Sequence, residues 1–132
     1  MRRAYGDIIC FLPRRNYESY LISPSALSWL LNSLPSFKDT QISCEVISDW
    51  IVANGRHPRY KCPEHEPFSS EWIHSVDGAR LLEDLFERVS KYQETYLKPR
   101  YSVELTRWLL DNDLESLREL IDYAVSILPI AR

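Results

Sequence analysis

The sequence predicts an all-α fold: an irregular bundle of about five helices carrying one long proline-rich loop. Three observations lead to it. Apolar residues recur at three- and four-residue intervals over several stretches, helix-opening residues stand just before those stretches, and proline or glycine stands just after them. The competing reading adds a short N-terminal strand or a small α+β sheet. A chain of 132 residues with 45% apolar content has core material for one domain, so residues 1–132 are read as a single helical domain.

Taken in order, the first element is the apolar run 8–12, which suits either a short buried strand or a helical turn packed across the bundle. Ser23 followed by Pro24 is a helix opening, because proline at the first helical position gives up no useful donor. Leu27, Leu30, Leu31 and Leu34 follow before Pro35. The next run, Ile42, Val46, Ile47, Trp50 and Ile51, is read as a helix over 42–52 ending at a left-handed Gly55. Isoleucine, valine and tryptophan also favour strands, and Ile42, Cys44 and Val46 alternate, so a strand remains the alternative there.

Between Gly55 and Ser70, Pro58, Pro63 and Pro67 exclude a regular element and leave a long loop, a type of segment that is usually functional, disordered or a linker. The helix over 77–98 has every signal: Asp77 to cap, an apolar stripe of Leu81, Leu82, Leu85, Phe86, Val89, Tyr92 and Tyr96, and Pro99 to stop it. Asp84 with Arg88, and Glu87 with Lys91, stand four apart with the acid leading. Ser102 is then placed to cap a short helix through Leu110. Asn112 is placed to cap another, with Glu115 completing a capping box. Leu114, Leu117, Ile121, Ala124, Val125 and Leu128 form the last stripe.

The uncharged stretch 19–37 approaches bilayer length, but its serines, Asn32, Pro24 and Pro35 make it unfit for hydrocarbon. Arg2 and Arg3 before the run 8–12 resemble a signal peptide only faintly, since Asp7 precedes the run and Arg14 and Arg15 follow it. Cys10, Cys44 and Cys62 are odd in number and widely spaced, which suits reduced thiols and a cytosolic setting.

Three isolated glycines, Gly6, Gly55 and Gly78, cannot make a phosphate-cradling loop or a dinucleotide fingerprint. No G-x-S-x-G elbow or metalloprotease spacing occurs. Cys62 and His65 have the spacing of half a zinc site, with His57, His74 or Cys44 as further ligands, so a metal site or a hydrolase around Cys62 and His65 is one alternative function. A loop cysteine beside solvated histidines explains the same residues without chemistry.

Charge is unevenly distributed. Through Lys61 the chain has eight basic and five acidic residues; from Cys62 onward it has eight basic and fourteen acidic. Arg14, Arg15, Arg56, Arg59 and Lys61, interleaved with tyrosines, are the residues a nucleic-acid-binding alternative would use. The acidic half suits the opposite kind of partner, whose basic surface it would steer and cover. Trp29 lies off the leucine line of its helix and is the aromatic best placed as an exposed anchor. The leading expectation is therefore a small cytosolic protein-binding module acting by complementarity, of the inhibitor, immunity-protein, antitoxin or adaptor kind. Its partner-binding residues are Trp29, Glu83, Glu87, Glu94, Asp111 and Asp113, and its partner is another protein, such as a basic toxin or nuclease. No catalytic residue, metal, cofactor or membrane contact is expected.

Overall fold

A computed structural model describes residues 13–128, and within them the chain forms six α-helices, four 3-10 turns and no strand. The helices are α1 (Pro24–Asn32), α2 (Cys44–Asn54), α3 (Ser70–Ser75), α4 (Gly78–Val89), α5 (Lys98–Asn112) and α6 (Arg118–Ile127). The 3-10 turns lie at Tyr17–Leu21, Pro35–Phe37, Pro58–Tyr60 and Leu114–Leu117. The run 8–12, and with it the N-terminal strand alternative, lies outside the described residues.

Helix α1 opens as its sequence dictates: Pro24 takes the first helical position and the Ser23 hydroxyl accepts from the Ala26 amide at 3.2 Å. Its leucine face packs between α2 and α5. The 42–52 run is helical, displaced to Cys44–Asn54, because Ser43 caps it through the Val46 amide at 3.3 Å. Ile42 stays outside that helix. Asn32, at the end of α1, holds it there, accepting from the Ile42 amide at 2.7 Å and donating to its carbonyl at 2.9 Å. Gly55 is not left-handed, with φ of −65°. Its backbone instead lies against α3: the Trp72 indole donates to the Gly55 carbonyl at 2.9 Å, and a β-carbon would stand 3.1 Å from that ring.

The loop 55–70 contains one regular turn, Pro58–Tyr60, opened by His57, whose Nδ1 accepts from the Arg59 amide at 3.0 Å. Helix α4 begins under Asp77 as expected, its carboxylate accepting from the Arg80 amide at 3.2 Å, but it stops at Val89 rather than running to Lys98. Lys91 and Tyr92 are left-handed there, with φ of 54° and 67°, and the Tyr92 amide closes the helix end on the Glu87 carbonyl at 2.6 Å. The stripe is thereby split. Tyr92 turns outward, while Tyr96 enters the core from an extended segment and meets Phe86 edge-on at 5.1 Å.

Pro99 opens the next helix instead of only ending the previous one. Helix α5 starts at Lys98, and Ser102 lies inside its first turns, donating to the Lys98 carbonyl. No capping box forms at Asn112. Asn112 is the last residue of α5, and Asp113 opens the following 3-10 turn by accepting from the Ser116 hydroxyl at 2.6 Å. Helix α6 has no fully buried residue: Leu120 and Ile121 pack partly on the core, whereas Val125 and Leu128 are exposed.

The buried residues form one cluster, with Leu27, Leu31, Ile51, Trp72, Leu85 and Phe86 at its centre. Each such fully buried side chain contributes about 1.5–3 kcal/mol by leaving water. No helix among the described residues is long and apolar enough to cross a membrane.

Candidate functional site

Two surface depressions carry the residues with chemical interest. The first is a groove of about 520 Å³ between α1 and α5, lined by Trp29, Glu104, Arg107, Trp108, Asp111 and Asn112. The spacing explains it. Positions 104, 107, 108, 111 and 112 repeat the three- and four-residue steps of a single helix face, so α5 presents them together while Tyr101, Leu105 and Leu109 turn into the core. Across the groove, Trp29 projects from α1 with 42% of its surface exposed, its ring 6.4 Å from that of Trp108 and tilted by 31°. Trp108 packs partly on the core, so one indole is anchored and the other is free to meet a partner. Glu104 lies 3.6 Å from Arg100, and Asp111 makes no ion pair among the described residues.

The second is a cleft of about 320 Å³ between α2, the Pro58–Tyr60 turn and the end of α4. Its wall is an ionic network. Arg59 donates to Asp84 twice, Nε to Oδ2 at 2.6 Å and Nη2 to Oδ1 at 3.2 Å, and the Tyr60 hydroxyl donates to Oδ2 at 2.7 Å. Burial pushes the Asp84 carboxyl up, but the bonds from Arg59 and Tyr60 outweigh it and hold the group below 3.8. The same burial, with the charged acceptor, pushes the Tyr60 hydroxyl upward.

The six residues expected to bind a partner do not share one face. Trp29 and Asp111 meet in the first depression, and Glu87 lines the second. Glu83 is exposed on α4. Glu94 is engaged by its own chain, accepting from the Ser36 hydroxyl at 2.5 Å and the Ser36 amide at 3.3 Å, and Asp113 is held by Ser116. The expected Asp84–Arg88 pairing along the helix is replaced by Asp84–Arg59.

The basic residues are likewise occupied. Arg14 donates to Glu119 at 2.8 Å and to the Ser19 carbonyl at 3.1 Å, Arg15 donates to the Ser75 carbonyl at 2.6 Å, and Arg56 donates to the Pro63 carbonyl at 2.9 Å. Lys61 is exposed in a left-handed conformation. Cys62 is in the core, its thiol donating to the Trp72 carbonyl at 3.8 Å, and burial pushes that thiol up, away from nucleophilic character. His65 lies at the surface, 3.7 Å from Glu64, and among the described residues no three potential ligands gather into a metal site.

The sequence offers His74 only as a further ligand, and the structure gives it a different partner. Its Nε2 meets Glu119 at 2.6 Å and its Nδ1 meets the Ser70 carbonyl at 2.7 Å, so both nitrogens face acceptors, an arrangement that favours the imidazolium over the neutral ring and raises the His74 pKa. Residues 45 apart in sequence carry no local signal of such a contact. Of the Trp29–Trp108 groove the sequence offers Trp29 and Asp111; Trp108 is missed, because the spacing that brings it to Glu104 and Asp111 runs past the Leu110 end expected for that helix. Comparison with protein-family models, curated proteins and solved structures gives no match.

Proposed function

We propose that this chain is a small protein-binding module of the inhibitor, immunity-protein or adaptor kind, and that it meets its partner through the Trp29–Trp108 groove. The observation that carries the reading is the half-exposed Trp29 indole standing over a groove whose other wall holds Trp108, Glu104 and Asp111. Exposed tryptophans beside an anchored aromatic are what interface hot spots are made of. Glu104 already faces Arg100, so Asp111 is the carboxylate of the groove left without an ion pair among the described residues, and indole faces attract cations. The occupant that fits is a partner segment presenting a basic side chain, as a nuclease or other cationic toxin would. The chain acts by covering that surface and carries out no covalent step.

The test compares tagged wild type, Trp29→Ala and Asp111→Lys as baits in lysate of the source cells, with quantitative mass spectrometry as the readout. A partner enriched by the wild type is expected to fall with Trp29→Ala by about 2 kcal/mol of affinity, roughly thirtyfold, and to fall with Asp111→Lys as well. Circular dichroism checks that both variants fold. Identical enrichment by all three baits overturns the reading.

A further inference from the structure

The cleft beside Tyr60 has features that the partner-binding groove does not require. Its back wall, Arg59, Tyr60 and Asp84, is neutral as a unit, since the Asp84 carboxylate already accepts three bonds from its neighbours. The unspent groups lie around it. Glu87 and Arg88, consecutive on the last turn of α4, line the cleft with opposite charges, and neither forms an ion pair among the described residues. Asn54 uses its side-chain N–H on the Trp50 carbonyl at 2.8 Å, which leaves its oxygen as an acceptor. His57 uses Nδ1 as an acceptor for the Arg59 amide, which places the proton of the neutral ring on Nε2 as a donor.

Two aromatic side chains complete the lining, Trp50 from α2 and Tyr92 from the turn after α4. Tyr92 is 69% exposed and, like Lys91 before it, has a positive φ that a residue with a side chain rarely adopts. Glycine would end the helix with less strain. The strained turn holds a tyrosine ring at the mouth of a polar cleft, where core packing gains nothing from it.

We propose that this cleft binds a small zwitterionic aromatic compound of the α-amino acid class. Its ammonium meets Glu87, its carboxylate meets Arg88, and its ring lies against Trp50 and Tyr92. Charge balance selects this class over a nucleotide: a phosphate would gain one free guanidinium and face Glu87, whereas a zwitterion satisfies both. The cleft volume of about 320 Å³ is at the small end of ligand sites, which suits a ligand of this size.

The test is a titration of the isotope-labelled full chain with L-phenylalanine, followed by amide and indole NMR signals. The Trp50 indole and the Tyr92 amide are expected to shift, while the Trp29 indole serves as an unperturbed reference. Arg88→Gln, and separately replacing the probe by N-acetyl-phenylalanine amide, are each expected to weaken binding about tenfold or more. Tyr92→Gly relieves the backbone strain, so it is expected to weaken binding without lowering the melting temperature, which separates loss of the site from loss of the fold. Absence of shifts up to about 10 mM phenylalanine, binding that survives Arg88→Gln unchanged, or equal shifts from adenosine monophosphate would each overturn the proposal.

Discussion

Gly78 shows how closely two segments can approach when a single β-carbon is missing. It is the first residue of α4, and a β-carbon built on it would stand 2.5 Å from the Ser19 amide nitrogen and 2.7 Å from both Cα and Oγ of Ser19. Most of what it would strike is backbone. That backbone is itself fixed: the Ser19 hydroxyl donates to the Val76 carbonyl at 3.1 Å, and its amide donates to the Asn16 carbonyl at 3.1 Å. In an open helix Gly→Ala gains about 1 kcal/mol of propensity. At Gly78 overpacking should win, so Gly78→Ala is expected to lower stability by a net of about 1–2 kcal/mol, read as a lower urea midpoint at unchanged slope. A midpoint that holds or rises would show that the Tyr17–Leu21 turn yields freely. From sequence, Gly78 was only one isolated glycine. The reason for it is a contact with a residue far along the chain, and such contacts leave no periodic trace. Gly55 is also packed against distant residues, Pro67 and Trp72, and its φ of −65° departs from the left-handed conformation expected at that helix end.

At the scale of elements, the least secured helix is α6, which buries no residue fully and is tied to the body through Glu119. One carboxylate oxygen meets Arg14 and the other meets His74 on α3. The bond to Glu119, and then the Ser70 carbonyl, hold the His74 imidazolium above its ordinary 6.5. Burial pushes Glu119 up, but the bonds from His74 and Arg14 prevail and hold it below 4.5. The signs then follow. The contribution of His74 is complete below 6.5 and is lost as pH rises through its raised value, and that of Glu119 is lost as pH falls through its lowered one. Both side chains are about one-third exposed, so the effect stays under about 1 kcal/mol. After correction for intrinsic rates, amide exchange across α6 is expected to be faster at pH 8 than at pH 6, and His74→Gln should abolish the difference. Equal protection at the two pH values would show that the Arg14–Glu119 pair and the hydrophobic contact of Leu120 and Ile121 hold the helix without His74. The sequence made α4 and α1 legible because cap and stripe coincide there. It misplaced the end of α4 because Tyr96 continues the spacing, although its burial is reached by a tertiary route that begins at a left-handed turn.

At the scale of the molecule, some of the opposite charges of the two halves are spent on each other. Arg14 pairs with Glu119, Arg59 with Asp84, and Lys98 lies 3.9 Å from the buried Glu18, each joining the basic front of the chain to the acidic rear or the reverse. The sequence showed the asymmetry but could not show its direction, because a charge count does not reveal which side chains converge. The same geometry bears on nucleic acid as a ligand. Binding a polyanion requires cations free to release phosphate counterions, and affinity then falls steeply with salt. Of the five residues that would form such a footprint, Arg14, Arg15, Arg56 and Arg59 already donate to acceptors of this chain, and recruiting them would break those bonds. Lys61 alone makes too small a footprint for more than a weak encounter. Fluorescence polarisation with a labelled single-stranded oligonucleotide at low ionic strength is therefore expected to show no saturable binding by the wild type. Opening the Arg59 pair with Asp84→Asn should release one guanidinium and leave the result unchanged, since one or two cations gain little on a chain whose net charge of −3 rises by only one. Saturable binding by the wild type that weakens with added salt would show that these arginines exchange their internal acceptors for phosphate, and would favour the nucleic-acid reading.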